Sequence, residues 1–145
     1  MKVLVQKVKH AAVHVHHTIV SEISLGYLLL IGIEKNDTTA QADFLAKKAA
    51  HLRIFTDEND KMNLSILDVG GEILAVSQFT LAANLNCGNR PGFDTAAQPQ
   101  EAQSLYEYFI TQLRSYHIPV QTGIFQAHME VELTNDGPCT FLLQR

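Results

Sequence analysis

The stretch GYLLLIGIEKNDTTAQADFLAKKAAHLRI, residues 26–54, decides the fold class. From Tyr27 to Ile33 it is apolar at every position except Gly32, the composition of a central strand covered on both faces and not of one with a wet side. Thr38 followed by Gln41 has the pattern of a capping box. Ala42, Leu45, Ala49 and Leu52 then recur at three- and four-residue steps, which predicts an amphipathic helix ending near Ile54. A doubly covered strand that feeds a one-faced helix belongs to a layered α/β domain.

Working outward, Val3, Val5, Val13, Val15 and Ile19 fall on alternating positions and predict strands over 2–8 and 13–19. Beyond the helix, the polar run 56–61 reads as a turn. Residues 72–79 read as a second mostly buried strand after the Gly70-Gly71 break. A long irregular stretch, 82–98, has no apolar period, and loops of that length in compact domains are more often functional than accidental. Pro99 suits the first turn of a second helix, with Ala102, Leu105, Phe109, Leu113 and Tyr116 as its apolar stripe. Strands are expected over 120–123, 129–133 and 140–144, with a turn at Asn135-Asp136-Gly137-Pro138. The sum is a β-rich α/β domain with two helices and a curved sheet under a helical layer.

With 145 residues, 46% of them hydrophobic, the chain has material for one core, so residues 1–145 are expected to form a single domain. No run approaches the ~18 to 20 apolar residues of a membrane span, and the first residues lack a signal-peptide pattern. The expectation is a cytoplasmic protein with no membrane contact. Cys87 and Cys139 are too few for a disulfide framework and read as free thiols. A net charge of -4 argues against coating a nucleic-acid backbone, yet leaves capture of one RNA end open. Positive charge is local: Lys7, Lys9 and His10, then Lys47, Lys48 and Arg53, then Arg90 in the loop.

Familiar catalytic motifs are missing. Asp57, Asn59 and Lys61 start like a calcium loop, but Lys61 replaces an oxygen ligand and the later Gly and Glu do not follow. His10, His14, His16 and His17 are dense, and His14 and His16 would share one strand face, but no well-spaced third ligand joins them. Neither metal nor cofactor is expected. Two segments end elements with small polar groups where a ligand can reach the backbone. One is Ser77-Gln78-Phe79-Thr80-Leu81, leaving a buried strand for the long loop. The other is Asn135 to Pro138, whose Gly-Pro bond can be cis at a cost of about 0.5–1 kcal/mol.

The first of these segments and the second extended to Asn135-Asp136-Gly137-Pro138-Cys139-Thr140, with Arg53-Ile54-Phe55, Lys61-Met62-Asn63, Arg90-Pro91 and the Gly123, Phe125, Ala127, Met129 spacing, resemble the D-aminoacyl-tRNA deacylase (D-tyrosyl-tRNA deacylase) family over essentially the whole chain. The resemblance implies a three-layer α/β/β fold with curved mixed sheets and two main helices. It also implies a homodimer with active sites at the subunit interface, and hydrolysis, without cofactor, of the ester joining a D-amino acid to the 3′ acceptor end of tRNA, a translation quality-control reaction. Carried over by residue, Ser77, Gln78, Phe79 and Thr80 form the catalytic segment. Gly137, Pro138, Met129, Phe125, Ala127 and Arg90 form the substrate-binding group and chirality filter. Gln126, His128, Gly92 and Asn84 depart from the family's usual residues around the pocket rim.

The chemistry needs a positioned water and donors for the oxyanion, for which the amides of Phe79 and Thr80 are suited. Thr80 as a nucleophile is the alternative, although no neighbour in sequence supplies its base; the substrate's ribose hydroxyl is another source of assistance. Gly137-Pro138, cis and inserted into the other subunit's pocket, would reject L-residues and let glycyl-tRNA(Ala) through. Two other readings stand beside this one: a non-catalytic dimer that binds tRNA ends or a protein, and a Gly-transPro relative clearing a mischarged L-aminoacyl-tRNA.

Overall fold

The computed structural model describes residues 1–86 and 88–145, so Cys87 lies outside the described residues. In chain order the elements are β1 (Lys2–Val15), β2 (Thr18–Ile23), β3 (Gly26–Gly32), α1 (Thr39–Ala50), β4 (Phe55–Thr56), β5 (Met62–Leu64), α2 (Ile66–Val69), β6 (Glu72–Ser77), α3 (Pro99–Ser115), β7 (Val120–Thr122) and β8 (Glu130–Gln144). The two strands read as buried, β3 and β6, lie side by side and parallel, Tyr27 opposite Ile73 and Ile31 opposite Ser77. Tyr27, Leu29, Ile31, Ile73 and Ala75 face one apolar cluster, while Leu28, Leu74 and Val76 face another on the reverse side. Burial on both faces is why neither segment alternates.

The strands meet closely at Gly26, where a Cβ would sit 1.8 Å from the Glu72 carbonyl oxygen. No side chain fits there.

β1 is one continuous strand where two were expected. It pairs with β3 from Lys2 to Val8 and with β2 from Ala11 to Val15, and β8 follows it along the other edge. The β1–β8 register slips between Gln6 and Val8 and again between Val8 and His10. Such irregularities bend a strand and sharpen its twist. Here they change the layer that a given parity of residue serves: Val3 and Val5 face the helices, whereas Ala11 and Val13 face the opposite cluster with Val8. The break in the sequence pattern therefore marks a strand changing layers. The reversal itself comes at His16 and His17, whose φ angles of 49° and 61° suit a two-residue hairpin.

β8 is likewise single. Asn135-Asp136-Gly137-Pro138, expected as a turn between strands, is the irregular middle of β8, and its Gly137–Pro138 peptide is cis. The first part of β8 closes the reverse layer through Val131 and Leu133, and the last part runs beside the first half of β1.

α1 and α3 cover the other face of the β3–β6 pair, and the one six-stranded sheet, in the order β2-β1-β3-β6-β7 with β8 beside β1, curves back on itself to make the third layer, a curved mixed sheet under helices as expected from the sequence. The Thr38 amide donates to Gln41 Oε1 at 2.9 Å, and Thr38 Oγ1 accepts from the Ala40 amide at 3.3 Å. α1 stops at Ala50, four residues before the expected end, because the Leu52 carbonyl accepts a hydrogen bond from the buried Tyr27 hydroxyl at 3.0 Å and Ile54 and Phe55 turn into the core. The stripe of α3 is rotated from the expected one: Tyr106, Phe109, Ile110 and Leu113 are buried, and Ala102, Leu105 and Tyr116 flank them. α2 and the β4–β5 hairpin were not expected. Among the described residues no helix is long and apolar enough to cross a membrane.

Gly26→Ala should lower the urea midpoint at unchanged slope, at a cost of at least about 1–3 kcal/mol, since overpacking meets backbone here. Gly70→Ala, at φ 61° with nothing within 4 Å, should cost only about 1–2 kcal/mol from backbone conformation. Equal midpoints for Gly26→Ala and the parent chain would contradict the tight strand contact.

Candidate active site

β6 ends at Ser77, two residues before the expected end, and the Gln78 amide adds one more bond to the sheet by donating to the Ile31 carbonyl at 2.7 Å. The chain then tightens into a 3-10 turn, Phe79–Ala82. This turn rests on Gly32: a Cβ there would lie 2.8 Å from Leu81 Cβ and 3.1 Å from the Gln78 carbonyl oxygen. Lys2 braces it from β1, donating from Nζ to the Leu81 carbonyl at 3.2 Å while pairing with Glu34 at 2.9 Å.

The opposite wall is the segment joining β7 to β8. The Gly123 amide donates to the Ala75 carbonyl at 3.0 Å, and the Tyr106 hydroxyl reaches the same oxygen at 2.9 Å. The Phe125 ring packs on Tyr106 with centroids 6.0 Å apart, and Gln126 turns the chain at φ 63° so that Ala127 and Met129 face inward. The end of the long loop makes the third side. The Lys35 amide donates to Thr95 and the Ala97 amide to Ile33, at 2.9 and 3.1 Å, pairing the loop with the chain just after β3.

Together these walls enclose a cavity of about 660 Å³ at the carboxyl ends of β3 and β6. That is where open α/β sheets bind ligands, and the size falls in the usual range of about 300–1,000 Å³. Of the residues singled out from the sequence, Ser77, Gln78, Phe79, Phe125, Ala127 and Met129 line it. Thr80, Arg90, Gly137 and Pro138 do not; all four are exposed. Ala96, Ala97 and Pro99 also line it and were missed, because small residues at a loop's end carry no periodic signal. His128 is the only ionisable side chain on the lining among the described residues.

Thr80 Oγ1 accepts a hydrogen bond from Gln78 Nε2. Leu81 is the first residue of the turn to bond back, on the Gln78 carbonyl, which leaves the Phe79 and Thr80 amides without an acceptor inside the turn. The histidines do not form a shared strand face: His14 is on β1, His16 is in the hairpin, and His10 Nε2 pairs with Glu22 at 2.7 Å.

Gly137 and Pro138 lie elsewhere. Asn135 is opposite Val8, and Val8 is opposite Gly26, so the pair sits beyond β1 and level with the end of β3 farthest from the cavity. The segment is firmly held. Asn135 Oδ1 accepts from the Cys139 amide at 2.8 Å, and Asn135 Nδ2 donates to Thr140 Oγ1 at 2.9 Å, a clamp spanning the Gly-Pro pair. Lys7, which the sequence grouped with Lys9 and His10 as local positive charge, is buried and reaches Asp136 at 2.9 Å. The hydrogen bond from Lys7 is the main reason the Asp136 carboxyl is held below the usual carboxylate range. Cys139 beneath the segment is a free, buried thiol whose pKa burial pushes up.

Asn135→Ala leaves the Cys139 amide unpaired and should cost about 1–3 kcal/mol, visible as a lower thermal midpoint. Gly123→Ala, whose Cβ would meet Met129 Sδ at 2.6 Å, should displace that flexible side chain into the cavity; substrate KM would rise while the thermal midpoint changes little. Unchanged KM for Gly123→Ala would remove Met129 from the substrate wall.

The family profile described as D-Tyr-tRNA(Tyr) deacylase matches residues 4–144. A protein of Geotalea uraniireducens named D-aminoacyl-tRNA deacylase is 56% identical over 99% of this chain and 93% of its own length. One of Pelobacter propionicus with the same name is 53% identical over 100% of both chains. Among solved structures, the c-Myc DNA Unwinding Element Binding Protein superposes with a TM-score of 0.95 at 38% identity, covering 100% of this chain and 99% of the other. A probable eukaryotic D-amino acid tRNA deacylase superposes at 0.81 and 16% identity over 98% and 97%, a likeness of fold. With the profile spanning nearly its whole length, and with full-length relatives more than half identical, the chain belongs to the D-Tyr-tRNA(Tyr) deacylase family.

Proposed function

We propose that the chain is a carboxylic ester hydrolase that cleaves D-aminoacyl-tRNA at its 3′ acceptor end to free D-amino acid and tRNA. It works as a cytoplasmic homodimer of single-domain protomers in translation quality control. The observation that carries the reading is the cavity in which the Ser77-Gln78-Phe79 strand end faces Phe125, Ala127 and Met129.

Among the described residues the cavity offers amides and small polar groups and no paired nucleophile and base, so its contribution is positioning and charge stabilisation. Water adds to the ester carbonyl, the Phe79 and Thr80 amides hold the oxyanion, and the C–O bond to the ribose breaks, the ribose oxygen taking the proton that the water gives up. Removing one such donor from an enzyme typically costs about 10² to 10³ in rate. Thr80 acts as a positioning group, its hydroxyl engaged by Gln78. The substrate's neighbouring ribose hydroxyl assists the proton transfer.

Chirality is read by Gly137 and Pro138 of the second copy. Exposed and remote from their own cavity, they meet a substrate only across a dimer interface. The edge strand that carries them also exposes Phe141 and Leu142, apolar surface for a partner to cover. An enzyme that accepts many D-amino acids holds what they share, the α-amino group and carbonyl, and excludes an L side chain by collision with backbone. A thousandfold preference needs only about 4 kcal/mol. Glycine has no side chain to exclude, so glycyl-tRNA(Ala) is a substrate too. Arg90 sits outside the cavity, where a tRNA phosphate passes.

Matched D- and L-aminoacyl-tRNA, assayed for ester loss, should show hydrolysis of the D form alone, and chelators should leave the rate unchanged. Equal loss of both forms, or none of either, would defeat the reading. Thr80→Ala should keep measurable turnover with no covalent adduct by mass spectrometry. Gly137 has φ 125°, where a side chain is strained, so Gly137→Ala should lose discrimination. Mixing Gly137→Ala with a Gln78→Ala protomer should restore selective turnover in mixed dimers, since each dimer then holds one intact site; no recovery on mixing would place the filter in its own subunit.

A further inference from the structure

With the terminal nucleoside and its ester in the cavity of about 660 Å³, as the deacylase reading has it, the preceding nucleotides of an acceptor end cross its rim. At that rim stand two phenylalanines with open faces. Phe79 lines the cavity yet is 56% exposed. Its ring packs against Phe93, centroids 5.0 Å apart and planes at 57°, and Phe93 is 40% exposed and outside the lining. The pair thus continues the cavity's surface outward.

Phe93 is held on both sides. Before it, Asn84 and Gly92 exchange backbone hydrogen bonds of 2.7 and 3.1 Å, closing the loop on itself. After it, the Ala96 amide donates to the Phe93 carbonyl at 3.0 Å and Thr95 Oγ1 donates to the Ala82 carbonyl. A ring fixed by its backbone and exposed to water loses little entropy when a flat partner lies on it. Unpaired bases are such partners, since every base has a π face. Exposed Arg90, three residues away in the same loop, is a cation for the phosphates between; Asp94 is the adjacent opposing charge.

We propose that the Phe79–Phe93 pair is a stacking platform for the base of the nucleotide that precedes the terminal adenosine of the acceptor end. The proposal rests on the deacylase reading and adds a subsite outside the ester cavity.

The test uses the dimeric protein and an unacylated RNA hairpin with a single-stranded acceptor end, carrying 2-aminopurine at the penultimate or at the terminal position. Binding should change the fluorescence of both reporters. Phe93→Ala should abolish the penultimate response, preserve the terminal one and weaken binding about tenfold, a typical loss for one stacked base, while Phe93→Trp restores both. With D-aminoacyl substrates, Phe93→Ala should raise KM for the acylated hairpin and leave D-aminoacyl-adenosine unaffected. A penultimate response that survives Phe93→Ala, or equal losses on both substrates, would overturn the platform. So would a change in dimer mass for Phe93→Ala, which would make the pair a contact between copies. If the unaltered protein turned over neither substrate, the deacylase reading would fall while the fluorescence arm still decided the stacking.

Discussion

The parallel pairing of β3 with β6 is the constraint on which the rest of the molecule depends. Each strand is covered on both faces, so the chain must supply a layer on either side: α1 and α3 on one, the second half of β1 and the first part of β8 with β2 on the other. The pairing also sets the site, because β3 and β6 end together and both continuations, Gly32 onward and Ser77 onward, begin at the same edge. Gly26 and Gly32 serve the two ends of this arrangement. One lets Glu72 approach and the other lets the 3-10 turn settle on the sheet.

Much of this was legible in the chain. An uninterrupted apolar run of strand length between glycines points to a strand covered on both faces, and Thr38 with Gln41 and Pro99 mark helix starts through local hydrogen-bond and φ requirements. What escaped were features set by distant pairing. Alternation in β1 assumes a strand that keeps one face inward, so a strand that changes layers looks like two. Asn135 to Pro138 has turn chemistry, and only the β1 ladder on its flank keeps it extended. The rotation of α3 toward Tyr106 follows from the Ala75 carbonyl, which no window along the helix contains.

The site was legible unevenly for similar reasons. The strand end 77–79 and the 125–129 segment drew attention through their residues, and they do meet. Ala96 and Ala97 shape the cavity by being small, which leaves no mark in composition. Gly137 and Pro138 stand apart from the cavity within the chain, so no window that holds one holds the other. Charge followed the same logic: Lys7 counts as local positive charge in the sequence, yet burial beside Asp136 makes it an internal strut.

β8 carries part of the cavity wall at its start, in Val131 with Met129 just before it, and the exposed Gly137–Pro138 segment at its middle. Receptor surface and projecting surface are therefore lengths of one beam. A substitution that alters the twist of that beam is felt at both. The two lengths are locked in register, since an insertion that shifted one alone would break the ladder with β1.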